Sequence, residues 1–164
     1  MLSVENMFLS EYRHQMDEKC RIRIPAKLRD ALDANPFIMK GPNGCLLVIN
    51  KREAKEFLNK EFGHVNMLDP KNNKALRMMA SSAFFAEEDK QGRIILPTKL
   101  LEHAGFKQKD GEIVSRNVVT IGALDHVEIW CEEVWDEYST GDADDYDASL
   151  AILASNGSKA EEAK

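Results

Sequence analysis

One twelve-residue pattern occurs twice in this chain, and it restricts the possible folds more than any other feature. Residues 17–28 read Asp-Glu-Lys-Cys-Arg-Ile-Arg-Ile-Pro-Ala-Lys-Leu, and residues 89–100 read Asp-Lys-Gln-Gly-Arg-Ile-Ile-Leu-Pro-Thr-Lys-Leu. The copies share D-x-x-x-R-I-x-[IL]-P-x-K-L, seven matched positions in twelve, 72 residues apart. One supersecondary unit used twice within 164 residues predicts two small halves that share a core.

Each copy contains a turn, a strand and a helix start. The opening Asp can accept hydrogen bonds from the next backbone amides, and Gly92 supplies the positive φ that a tight connection needs. Cys20 occupies the matching place in the first copy, where a left-handed backbone would cost a non-glycine residue about 1 kcal/mol. The first turn is therefore expected to be strained or to differ in geometry. After the turn, Arg21 and Arg23 alternate with Ile22 and Ile24, which predicts a strand with one wet, basic face. Pro25 ends that strand and suits a first helical turn, and Leu28, Ala31 and Leu32 form the apolar stripe that follows. In the second copy Ile94 and Leu96 point inward, Pro97 starts a helix striped by Leu100, Leu101 and Ala104, and Gly105 is the expected C-cap.

The order strand, turn, strand, helix, strand, helix is predicted twice. Expected boundaries are a first unit over residues 1–68 with a short N-terminal extension, a connecting helix over 69–83, a second unit over 84–138 and an acidic tail over 139–164. Asp69-Pro70 is a good helix start for the connector. The tail is poor in large apolar residues and is expected to be mostly disordered, with at most a short helical patch.

Charge placement matters more than the total of −6. Residues 141–164 hold six acids and two lysines, while residues 13–29 hold six bases, namely Arg13, Lys19, Arg21, Arg23, Lys27 and Arg29, against two acids. A local basic face is thus compatible with an acidic chain. An arginine on a two-stranded ribbon can present its planar fork to a groove edge, where guanine offers two acceptors, and adjacent lysines can pair with phosphates. The candidate DNA contacts are Arg21, Arg93, Lys19, Arg23, Lys90 and Arg13, with Asp17 and Asp89 orienting the two motif arginines.

Other chemistries find less support. Cys20, Cys45 and Cys131 are far apart and lack a C-x-x-C pair, and His14, His64, His103 and His126 show no metal-binding spacing. The one nucleophile and base that can be assembled is Cys20 with His14 across the turn, and no glycine-rich phosphate loop is present. No cofactor, metal, membrane or small-molecule substrate is expected, and the absence of a long apolar run or basic-apolar leader predicts a cytoplasmic protein.

Across about 130 residues, from Met7-Phe8 through both D-x-x-x-R motifs to Glu128-Ile129-Trp130 and Trp135, the chain resembles the MraZ family of bacterial regulators. The resemblance implies an α+β fold of two tandem AbrB-like swapped-hairpin units, with a small β-barrel-like core and flanking helices. It also implies a nucleoid-associated, ring-shaped homo-oligomer that binds promoter direct repeats of the division and cell-wall gene cluster through Asp17, Arg21, Asp89 and Arg93. Two positions depart from the pattern: Cys20 stands in place of the usual Gly, and Leu9 in place of the usual Arg after Met-Phe. The alternative is an AbrB-like, antitoxin-type module whose acidic tail holds a basic protein partner.

Overall fold

The computed structural model describes residues 7–162, with side chains described through residue 157. The extension expected over residues 1–6 lies outside the described residues. The first half runs β1 (Glu11–Gln15), β2 (Arg21–Ile22), α1 (Ala26–Arg29), β3 (Phe37–Lys40), β4 (Leu46–Ile49) and α2 (Ala54–Phe62). Next comes α3 (Pro70–Ala80), where the Asp69 carboxylate accepts from the Lys71 amide at 2.9 Å and Pro70 fills the first turn. The second half runs β5 (Phe84–Phe85), β6 (Ile94–Ile95), α4 (Thr98–His103), β7 (Gln108–Lys109), β8 (Glu112–Ile113), β9 (Asn117–Gly122), β10 (Val127–Cys131) and α5 (Glu132–Tyr138). The last element is α6 (Ala143–Glu162).

The halves exchange strands. The six-stranded sheet has the order β1-β9-β10-β4-β3-β5, so β1 of the first half pairs with β9 of the second, and β5 of the second with β3 of the first. Exchanging the halves leaves that order unchanged, with the pseudo-twofold axis passing between β10 and β4, where Val127 pairs with Val48 and Ile129 with Leu46. A separate ribbon joins β2 to β6, the two motif strands, with Arg21 opposite Ile95 and Ile22 opposite Ile94. This is the mixed α+β, swapped-hairpin arrangement that the family resemblance implies.

Burial explains why the exchange is stable. Ile22, Ile24, Ile94 and Leu96 are each at most 2% exposed and enter one core with Leu28, Leu100, Leu101, Phe8 and Ile129. Both motif strands therefore insert their apolar faces into a core to which neither half alone contributes every wall, at roughly 25 cal/mol per Å² of apolar surface removed from water. A second cluster, on the other face of the sheet, packs α2 and α3 through Phe57, Leu58, Phe62 and Met79 against Met39, Leu47 and Trp130. Gly105 closes α4 at φ +81, and the Phe106 amide reaches back to the Leu101 carbonyl at 3.1 Å.

The tail differs from the expectation of predominant disorder, since α6 is helical over twenty residues. Asp142 Oδ1 accepts from the amides of Asp144 and Asp145 at 3.0 and 3.1 Å, and Asp145 Oδ2 accepts from the Asp142 amide at 3.1 Å. This reciprocal cap satisfies amides that a helix start leaves without partners. The composition that suggested disorder instead reflects the lack of a packing face, because every residue from 143 to 157 is exposed.

Candidate nucleic-acid interface

The two turns have the same construction. Asp17 Oδ1 accepts from the amides of Lys19 and Arg21 at 2.9 and 3.0 Å, and Asp89 Oδ1 accepts from those of Gln91 and Arg93 at 2.8 and 3.0 Å. Each turn is closed by the Asp amide donating to the Arg carbonyl, at 3.0 Å in the first and 2.9 Å in the second. Cys20 at φ +58 and Gly92 at φ +73 take the same left-handed position. Of the two possibilities open from sequence, the first turn keeps the geometry and carries the strain.

The other carboxylate oxygen of each Asp holds the arginine. Arg21 Nε donates to Asp17 Oδ2 at 2.7 Å, and Arg93 Nε donates to Asp89 Oδ2 at 2.8 Å. Pairing of β2 with β6 then brings the motifs together: Arg93 Nη1 lies 3.5 Å from Asp17 Oδ2, and Arg21 Nη1 lies 3.9 Å from Asp89 Oδ2. The four side chains, between 23% and 33% exposed, form one closed network around the pseudo-axis. Partial burial would raise the Asp17 pKa, but the Arg21 and Lys19 amides and the Arg21 guanidinium hold it below the ordinary value. Asp89 is held low first by the Arg93 amide, with Gln91 and the Arg93 side chain adding to it. Both acids therefore stay ionised and fix the direction of their arginines.

The remaining candidates are placed unequally. Lys19 and Lys90 are exposed in the turns, and among the described residues neither has an acidic partner within ion-pair distance. Arg23 extends along the ribbon and donates through Nη2 to the Gln91 carbonyl of the other turn. Arg13 is not brought to this network. It lies on β1 against α5, with Asp136 at 2.8 Å, Glu132 at 3.1 Å and Glu11 at 3.2 Å, and these hydrogen bonds, led by Asp136, push its pKa up.

Sequence reasoning missed three neighbours of the network. Arg29 forms a two-point pair with Glu88 at 3.0 and 2.6 Å, and its guanidinium lies under Gly92, 2.9 Å from where a Cβ would be. Arg116 approaches Glu18 at 3.8 Å. Ile95 lies on the ribbon directly opposite Arg21 and is 60% exposed. Strand alternation alone places Ile95 outward, whereas the other two depend on pairings across long stretches of chain.

The Cys20 and His14 pairing gains no chemical support. Burial and the nearby Asp17 push the Cys20 thiol pKa up, against the lowering by Arg116, which is the reverse of an activated thiolate. His14 uses Nε2 on the Thr120 hydroxyl at 2.6 Å. Among the described residues no group of three or more His, Cys, Asp or Glu could hold a metal ion, and no helix is long and apolar enough to cross a membrane.

Residues 7–71 and 79–151 match the family model described as "MraZ protein, putative antitoxin-like". The chain is similar to the transcriptional regulator MraZ of Clostridium beijerinckii, 37% identical over 138 residues, covering 84% of this chain and 91% of that protein. It is 33% identical over 141 residues to the transcriptional regulator MraZ of Lactobacillus helveticus, covering 86% and 92%. The protein of that name from Heliobacterium modesticaldum is 37% identical over 141 residues, with the same coverage of 86% and 92%.

Proposed function

The chain belongs to the MraZ family, and on that basis we propose that it is a DNA-binding transcriptional regulator acting on direct repeats in the promoter of the division and cell-wall gene cluster. The observation that supports this reading best is the β2–β6 ribbon, which carries Arg21 and Arg93 side by side, each aimed by its own Asp. An arginine preset in direction loses less freedom on meeting a base edge than a free one does. In this reading Arg21 and Arg93 contact bases, while Asp17 and Asp89 hold them.

The charge balance divides the work among the side chains. Two Asp and two Arg cancel within the network, so attraction to phosphate falls to Lys19 and Lys90, with the repeated motif lysines Lys27 and Lys99 exposed just beyond the strands, while Arg23 stands on the ribbon face beside the motif arginines. So few cations bind one duplex weakly, and the salt dependence grows only as more phosphates are met. Linking several ribbons in a closed homo-oligomer makes the later contacts intramolecular and raises affinity without new chemistry. A ring matched to repeated sites is the assembly that this balance calls for, and such a protein would be nucleoid-associated. The relatives are named as regulators, and we assign no catalytic role.

The test is a mobility shift with DNA from immediately upstream of this gene across a salt series, beside a measurement of mass in solution. The expected result is specific binding with a steep salt slope. Arg21→Ala should lose about ten- to hundred-fold in affinity while the assembled mass persists. A monomer that ignores every duplex at low salt would overturn the reading, and so would an Arg21→Ala variant that binds as tightly as the parent.

A further inference from the structure

The face of the β2–β6 ribbon turned away from the core carries four side chains. Pairing of Arg21 with Ile95, together with strand alternation, puts Arg21, Arg23, Arg93 and Ile95 on that face, opposite the buried Ile22, Ile24, Ile94 and Leu96. Exchanging the halves carries Arg21 onto Arg93 and Arg23 onto Ile95. Three of the four are guanidiniums, and the fourth is an isoleucine in the place of the missing arginine.

The surroundings of Ile95 fit a base better than a phosphate. It borders a shallow cleft of about 430 Å³ lined by Phe84, Phe85, Glu87, Glu88, Asp89 and Arg93. Phe85 is 51% exposed, so the apolar surface extends past Ile95. The charge of Glu88 is met by Arg29 and that of Asp89 by Arg93, while Glu87 is exposed and would repel a phosphate. In the major groove the one apolar group on a base edge is the thymine 5-methyl, and aliphatic side chains recognise it by contact.

We propose that Ile95 is a specificity-determining residue that packs against a thymine 5-methyl group, so that the second motif selects thymine where the first, through Arg23, selects a hydrogen-bond acceptor. The inference rests on the DNA-binding reading above. It makes the pseudo-symmetric ribbon an asymmetric reader, with the two halves of its site differing in sequence and the orientation of each repeat thereby fixed. That asymmetry suits direct rather than inverted repeats.

The test uses the full chain and the duplex from upstream of its own gene, with each thymine of the bound site replaced singly by deoxyuridine, which removes the methyl and nothing else. At the contacted position the parent protein should lose about four-fold in affinity, the equivalent of about 0.8 kcal/mol for one buried methyl. Ile95→Ala should bind the thymine duplex at least as weakly and lose nothing more on the deoxyuridine duplex, with its assembled mass unchanged. Equal deoxyuridine penalties in both proteins would overturn the proposal, as would no penalty at any position in the parent. A fall in mass for Ile95→Ala would also overturn it, because the residue would then lie at a contact between copies. Failure of the parent to bind any duplex would instead defeat the functional reading on which the proposal is built.

Discussion

Arg93 reaches across the ribbon to Asp17, with Nη1 3.5 Å from the same Oδ2 that accepts the Arg21 Nε hydrogen at 2.7 Å. One carboxylate thus serves arginines from both copies of the motif, and Asp89 does the same from the other side. Asp17→Asn should therefore loosen both arginines, not one. It also removes a negative charge near the duplex, which strengthens non-specific attraction. The expected outcome is a fall of about five- to ten-fold in the ratio of specific to non-specific affinity, read by titrating the upstream duplex against a scrambled one at fixed salt. Asp89→Asn should behave alike, and the double variant should lose less than the product of the single losses, since the residues share one network. Multiplicative losses would show two independent motifs.

The Cys20 backbone is held at φ +58, where the equivalent residue of the second turn is a glycine. A side chain there costs about 1 to 2 kcal/mol in the folded state, while glycine frees the unfolded chain by about 0.4 to 1 kcal/mol. The folded-state term is the larger, so Cys20→Gly should raise the melting temperature by about 1 to 2 °C. Gly92→Ala should lower it by several degrees, because its Cβ would also displace Arg29 from Glu88. Differential scanning calorimetry on the two variants decides, and a Cys20→Gly protein that melts below the parent would show that the thiol's partial burial outweighs the strain.

Much of the local structure was legible in the sequence. The alternation of Ile22, Ile24, Ile94 and Leu96 with Arg21, Arg23, Arg93 and Ile95 gives both motif strands and their inner faces, since a period of two admits one assignment. What the sequence did not carry was pairing at a distance. Each turn joins consecutive strands, yet β1 finds its main partner in β9, a choice set by closure of the whole core. The same limit explains Arg13. Along the chain it belongs to a basic stretch, but in space it faces Glu132 and Asp136, 119 and 123 residues further on. Charge counted along a sequence is not charge counted on a surface.

Two histidines should respond to pH with opposite signs. Burial lowers the pKa of His14 from its ordinary 6.5, so below that value the unfolded chain takes up a proton that the folded chain resists, and stability falls with pH. Burial also acts to lower His126, but hydrogen bonds to Glu128 at 3.1 Å and Asp125 at 2.7 Å outweigh it and raise the pKa. Its contribution is fully present below 6.5 and is lost as pH rises through the raised folded value. Glu128 remains ionised in that range, because its own pKa is lowered against burial by His126 and Trp130. Melting curves from pH 5 to 8 should show the deficit of His126→Gln growing as pH falls, and that of His14→Gln shrinking. Two deficits that do not change with pH would contradict both assignments.

The C-terminal helix should be dispensable for stability and costly for DNA binding. Tyr146, Leu150, Ile152 and Leu153 are all exposed, so none of the large apolar side chains of α6 among the described residues is buried, and the helix depends on its cap and on propensity. Gly157 lies within it and costs about 1 kcal/mol relative to alanine. Deleting residues 142–164 should leave the melting temperature within about 1 °C of the parent, because every residue from 143 to 157 is exposed. The deletion removes six acids and two lysines, a net −4, from a chain of net −6. Less like-charge repulsion should then raise affinity for the upstream duplex several-fold at low salt, with the gain vanishing as added salt shortens the Debye length to a few ångströms. A truncated protein that melts well below the parent would reveal a contact made by the helix in the assembled state, and equal affinities at low salt would place its charge beyond reach of the bound DNA.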